Sequence, residues 1–261
     1  MQRMAWHWLG VGSASALDLG SAAGVLELDD RPLLLVDCGP ATWQQYLHAY
    51  GELPRAVFLT HGHFDHIGGL EQLFYKAWFA EPRQLIRLFV PVGVIPVVQS
   101  RLAEYPSLLA EGGANFWDAF QLIPVSAGFW LERRWFEGCE ARHHLPGSAY
   151  GLPLRGSFLY TGDTRPIPER LLRHAAAGEL ILHDCGLHAN PSHTGLADLE
   201  REYQTEQRAR MVLYHYGSSA DGAALEAAGY RIARGGERLG LKSPALAEPA
   251  TSMLAEAENR R

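Results

Sequence analysis

Cysteine is scarce in this chain. The three present, Cys38, Cys139 and Cys185, are odd in number and widely spaced, which argues against a disulfide framework and for a reducing, cytoplasmic setting. No apolar run approaches the ~20 residues that a membrane span needs. The opening stretch from Met1 to Trp8 lacks the long apolar core of a signal peptide, so a soluble protein with no membrane partner is expected. A basic surplus is also missing. With a formal net charge of −6, a broad electrostatic grip on nucleic acid is not the default, although a nucleic-acid substrate stays possible. Internal repeats and low-complexity tracts are absent as well.

What the chain does have is apolar material. At 261 residues with 47% apolar side chains it can build one sizeable core. Short apolar runs at 5–12, 24–28, 32–37, 56–59, 85–92, 158–161, 180–182, 211–214 and 229–233 read as strands, the last as the final one. Helices are expected over 41–50, from Leu70, and over 93–111, 168–177 and 196–208. The expected division is one catalytic domain over 1–240 and a loosely held tail over 241–261. Between 75 and 142 acidic and basic groups balance and aromatics are dense, with Phe116, Trp117, Phe120, Phe129, Trp130, Trp135 and Phe136. Such rings suit a core or a homodimer surface, and alternatively a wall that shapes the substrate pocket.

The chemistry concentrates at Thr60-His61-Gly62-His63-Phe64-Asp65-His66, directly after the strand Ala56-Val57-Phe58-Leu59. Four nitrogen or oxygen donors so close together can serve two metal ions but would crowd one. Imidazole with carboxylate suits zinc, and also manganese or iron. Further along, strands again end in metal-competent residues: His144, Asp163, Asp184 and His215. Open αβ architectures place ligands at strand ends, where backbone direction fixes side-chain aim. Asp37, in Asp37-Cys38-Gly39-Pro40, is either a support for a neighbouring ligand or a solvated turn residue.

His-x-His-x-Asp-His resembles the signature of the metallo-β-lactamase superfamily over about residues 5–240, and the closest likeness is to its RNase Z-like phosphodiesterase branch. The branch's opening glycine-rich strand is matched by Leu9-Gly10-Val11-Gly12-Ser13, its Asp-Cys-Gly by Asp37-Cys38-Gly39, and its Gly-Asp-Thr-Arg-Pro by Gly162 through Pro166. The resemblance implies an α/β fold, a four-layer αββα sandwich, holding two divalent metals, Zn2+ or alternatively Mn2+ or Fe. It implies that His61, His63 and His144 hold one metal, that Asp65, His66 and His215 hold the other, and that Asp163 bridges them. His144 is preferred over His143 because the family's His-x-Pro spacing fits His144-Leu145-Pro146, and a strand neighbour should face the other way. The branch's His-Glu pair has its counterpart in His183-Asp184, and its loop histidine in His193, so Asp184 is expected to orient His193 as proton donor.

The implied function is a metal-dependent hydrolase that cleaves a small phosphodiester or nucleotide with a metal-bound hydroxide, Asp65 helping to hold that nucleophile. No long Gly- and Lys-rich arm of the kind that grips tRNA is present, which disfavours an RNase Z-type tRNA 3′ endonuclease. The stretch His144-Leu145-Pro146-Gly147-Ser148 also resembles glyoxalase II and lactonase relatives, so lactone or thioester hydrolysis is the alternative.

Overall fold

The computed structural model describes residues 2–102 and 112–246. The first half of the chain lays down β1 (Met4–Gly10), β2 (Ala23–Leu28), β3 (Arg31–Val36), α1 (Thr42–Tyr50), β4 (Ala56–Phe58), α2 (Phe64–Ile67), α3 (Leu70–Trp78), β5 (Ile86–Pro91), α4 (Ile95–Leu102) and β6 (Phe120–Val125). A hairpin of β7 (Gly128–Leu131) and β8 (Arg134–Glu137) leads to the second half. There follow β9 (Cys139–Glu140), β10 (Tyr150–Leu154), β11 (Phe158–Tyr160), α5 (Pro168–His174), β12 (Leu180–Asp184), α6 (Leu196–Glu202), α7 (Thr205–Arg208), β13 (Met211–Tyr214), α8 (Ser219–Ala227), β14 (Arg231–Ile232) and β15 (Arg238–Leu241).

Two sheets result, a seven-stranded one ordered β15-β1-β2-β3-β4-β5-β6 and a six-stranded one ordered β14-β13-β12-β11-β10-β9. Alternation along the strands sorts the side chains of the first sheet between two cores. Trp6, Trp8, Leu26, Leu34, Val36 and Phe58 face the second sheet and meet Phe158, Tyr160, Leu182 and Tyr214. Val25, Leu35, Val57 and Leu59, one position out of phase, meet Trp43 and Tyr46 of α1, Leu73 and Phe74 of α3, and Val98 of α4. On the far side of the second sheet, Leu171, Leu199 and Leu225 carry α5, α6 and α8 into the packing. The four layers are therefore helices, sheet, sheet, helices, as expected.

The inter-sheet core is built on aromatic stacking. Trp6 stacks on Tyr160 with ring centroids 5.1 Å apart and planes 26° apart, and packs on Phe158 at 5.2 Å. Gly24 lets that indole lie flat on β2, since a Cβ there would stand 2.3 Å from the ring.

Three expectations need correction. Arg238–Leu241 is a strand paired antiparallel with β1, so the domain runs through the expected boundary at 240 and the chain's last described strand lies beyond 229–233. Its alternation, Arg238-Leu239-Gly240-Leu241, spans only four residues, and the pairing is supplied by the free edge of β1. The helix expected over 196–208 breaks at Tyr203, which adopts extended backbone. The strand pattern expected over 139–144 ends at Glu140. Most of the tail and residues 103–111 of the third expected helix lie outside the described residues. In the aromatic-rich segment Phe116, Phe120, Phe129 and Phe136 are core, while Trp130 and Trp135 are exposed. Among the described residues no helix is long and apolar enough to cross a membrane.

Truncating Trp6 to alanine should destabilise the fold by about 3–5 kcal/mol in urea denaturation, whereas L172Q on an exposed helix face should change it by about 0.5 kcal/mol or less. Equal effects of the two would contradict this assignment of the core.

Candidate metal centre

The site forms where the two sheets present the carboxyl ends of their parallel strands. From the first sheet, β3 ends at Val36 and β4 at Phe58, and the polar groups follow at Asp37 and His61. From the second, β11, β12 and β13 run parallel in adjacent register, with Asp184 opposite Tyr214, and release Asp163, Asp184 and His215. Helix α2, a single turn, carries Asp65 and His66. Gly39 allows that turn to approach, because a Cβ there would lie 1.9 Å from the Asp65 carbonyl oxygen. Asp37 and His215 take left-handed backbone, with φ of 62° and 70°. A non-glycine residue held in that region costs about 1 kcal/mol or more and persists where the surroundings enforce it.

Asp37 is wholly buried and serves as a fixed support. Its carboxylate accepts from the Thr60 amide and hydroxyl, each at 2.8 Å, and lies 2.7 Å from His66 Nδ1. With Nδ1–H donated to Asp37, His66 turns Nε2 toward the cavity. Burial pushes the Asp37 carboxyl up, and the His66 imidazole and the Thr60 hydrogen bonds oppose that rise.

Among the described residues donor atoms gather within 4.8 Å of one another in four overlapping groups: His61, His63 and His143; Asp65, His66, Asp163 and His215; and two that include His193, with His143 and Asp163 and with Asp184 and His215. Asp163 Oδ2 belongs to the neighbourhoods of the first two. It lies 3.7 Å from His61 Nε2, 4.0 Å from His143 Nε2, 3.2 Å from His66 Nε2 and 3.3 Å from His215 Nε2. His66 Nε2, His215 Nε2 and Asp163 Oδ1 are buried without a hydrogen-bond partner. Such orphans ordinarily cost about 1–3 kcal/mol each. Converging on one space, they fit a bound divalent cation.

The electrostatics agree. Burial lowers His61 and His143, and burial together with His143 and His144 lowers His63 to about 4, so these imidazoles are neutral and offer lone pairs. Burial also works against charge on His66 and His215, yet the carboxylates outweigh it, raising His66 and bringing His215 to about 10. For Asp163 and Asp65, burial is likewise overcome by the neighbouring imidazoles, and both carboxyls are held below the ordinary range. The cavity thus favours positive charge, which protons supply when no metal does.

The structure brings together His61, His63, Asp65, His66, Asp163 and His215 as the sequence suggested, but it exchanges the neighbouring histidines. His143, not His144, joins His61 and His63. His143 is buried, its Nδ1 lies 3.0 Å from the Ser192 carbonyl, and its Nε2 lies 3.1 Å from His63 Nδ1. His144 is exposed and reaches only the outer nitrogen of His63, at 2.9 Å. The strand argument that turned His143 away fails because extended backbone stops at Glu140, and past it the chain turns.

Asp184 stands behind the cluster and joins two histidines. Its Oδ2 lies 2.9 Å from His193 Nδ1 and accepts from the Thr164 amide at 2.7 Å, while Oδ1 lies 3.3 Å from His215 Nδ1. Burial depresses the His193 pKa, but the Asp184 hydrogen bond and charge reverse this and raise it. His183 points elsewhere, to the Tyr203 hydroxyl at 2.7 Å. A hollow of about 390 Å³ opens over the cluster, lined by His63, Asp65, Asp163, His193 and His215 and walled by Ser13, His188, Asn190 and Asp221. Ser13 ends the glycine-rich motif of the sequence analysis, whereas His188 and Asn190, from one loop, and Asp221, from the first turn of α8, carried no site signal because no motif surrounds them.

H143A should reduce bound metal by at least one equivalent in elemental analysis, while H144A should leave it within error of the parent. The reverse pattern would return the ligand position to His144. Removing the Asp37 carboxylate (D37A) should weaken metal affinity about 10–100-fold in chelator competition; unchanged affinity would deny Asp37 its supporting role.

Comparison with known proteins identifies the fold and the family. The metallo-β-lactamase fold protein YhfI from Bacillus subtilis superposes with a TM-score of 0.71 at 15% identity, covering 91% of this chain and 99% of its own. Human tRNase Z, short form, superposes at 0.59 and 18% identity, with 94% and 100% covered. The fold is therefore that of the metallo-β-lactamase superfamily, with RNase Z-like neighbours. An anti-Pycsar protein Apyc1 from Paenibacillus harenae is 29% identical over 223 residues, spanning 82% of this chain and 90% of that protein. The model of the anti-Pycsar protein Apyc1 family matches residues 4–238, and the chain belongs to that family.

Proposed function

We propose that the protein is a metal-dependent phosphodiesterase with two divalent ions, zinc by donor type, acting on a phosphodiester the size of a single nucleotide. The observation that carries this reading is the position of Asp163 Oδ2 between two donor groups. His61, His63 and His143 would hold one ion and Asp65, His66 and His215 the other, with Asp163 common to both. Bound there, a metal pair supplies an ionised water near neutral pH and takes up charge on the attacked phosphorus.

The chain's own residues do the rest. The Asp65 and Asp163 carboxylates accept hydrogen bonds from the attacking water and hold it in line. Burial excludes bulk water from all the donors except His63 and the edge of Asp65. His193, partly exposed at the rim and held by Asp184 through Nδ1, keeps Nε2 free to give a proton to the departing alkoxide. The raised His193 pKa favours the protonated form that this step consumes. A hollow of about 390 Å³ suits a mononucleotide. Among phosphodiesters of that size a cyclic nucleotide is the substrate class we favour, in keeping with the anti-Pycsar family to which the chain belongs. Three free, buried cysteines suit the reducing cytoplasm, where we place the enzyme.

Two outcomes test the reading. With the metal-loaded protein, a 3′,5′-cyclic nucleotide and bis-p-nitrophenyl phosphate should both be hydrolysed, and H63A should abolish both; turnover of a lactone or glutathione thioester in their place would contradict it. H193A should slow alkoxide leaving groups by ~10²–10⁴-fold and p-nitrophenolate far less, since that phenolate departs without a proton. Equal slowing would remove His193 from the acid role.

A further inference from the structure

Beside the catalytic hollow lies a second one, larger, at about 570 Å³. The two share Ser13, Ala14 and Asp65 as common wall, so the second lies directly beside the metal cluster, with Asp65 in both linings. Its character differs. Phe64, Leu19, Pro40 and Ala41 make it largely apolar, where the catalytic hollow is edged by His188, Asn190 and Asp221. Phe64 is 68% exposed, although it sits between His63 and Asp65 at the start of α2. An aromatic ring presented to solvent at that point has lost the burial that ordinarily stabilises it and gains from covering. On another wall of the same hollow, Gln45 Oε1 is a buried acceptor with no hydrogen-bond partner. A buried acceptor left unmatched favours a ligand that brings a donor.

We propose that this second hollow is the base subsite of the enzyme: a nucleobase lies against Phe64 and gives an N–H hydrogen bond to Gln45 Oε1. The inference rests on the phosphodiesterase reading above and adds where the substrate's nucleoside goes. The phosphate sits at the metal cluster, the sugar crosses the shared wall at Ser13 and Asp65, and the base enters the apolar hollow. An alkyl phosphodiester of the same charge would use the first hollow alone. Discrimination between them then resides in Phe64 and Gln45, neither of which touches the reacting bond.

The test compares kcat/KM for a 3′,5′-cyclic nucleotide with that for methyl p-nitrophenyl phosphate in the parent, F64A and Q45L, with metal content measured for each. Calorimetric binding of a non-hydrolysable cyclic nucleotide phosphorothioate runs in parallel. The ratio of the two efficiencies should fall about tenfold in F64A, the loss of one base-stacking contact, and severalfold in Q45L, with phosphorothioate affinity falling alongside. A ratio unchanged in both variants overturns the proposal. If F64A loses metal and slows both substrates together, Q45L decides alone, and a constant ratio there overturns it. A parent protein that binds the phosphorothioate, more weakly in both variants, yet hydrolyses neither diester would retire the phosphodiesterase reading and leave the subsite standing.

Discussion

One carboxylate oxygen, Asp163 Oδ2, is surrounded by four imidazoles within 4.0 Å, and nearly everything around it is dry. Charge in such a place is expensive unless it is matched. The structure matches it in part through His66 and His215, which are themselves paired with Asp37, Asp65 and Asp184, and leaves several donor atoms unmatched toward the common centre. A bound divalent cation would complete the match, as protons do where none is bound. Stability and chemistry therefore meet at one point, since the group that would make the site reactive also removes its electrostatic cost.

The fold makes this arrangement possible by geometry. Parallel strands in register end at the same level, so residues distant in sequence arrive side by side. Aromatic packing between Trp6, Phe158, Tyr160 and Tyr214 fixes the separation of the sheets and hence of the two halves of the site. Left-handed backbone at Asp37 and His215 then turns two side chains inward just past their strands. These strained positions sit beside the donors themselves, as expected where local strain is held in place by function.

Much of this was legible in the sequence because it depends on local signals. Short apolar runs ending in His61, Asp163, Asp184 and His215 mark strand ends without any knowledge of pairing, and the His193–Asp184 contact followed from matching motifs. What escaped depends on tertiary partners. Choosing between His143 and His144 needed the point where β9 stops, which its pairing with β10 determines. The strand Arg238–Leu241 exists because β1 has a free edge, a fact that its own residues do not encode. Gln45 and Phe64 meet at one hollow only after α1 and α2 are packed, so neither spacing nor composition could join them.

The centre and the two hollows lie where strand ends and loops meet at one edge of the two sheets. A pair of cations spanned by Asp163 is the proposal on which the reading of the site rests. Crystals of the protein grown with zinc, with anomalous differences recorded on both sides of the zinc absorption edge, test it most directly. The account predicts two peaks, one against His61, His63 and His143 and one against Asp65, His66 and His215, with Asp163 between them. Peaks confined to the protein surface, or an empty cluster at saturating zinc, would contradict it.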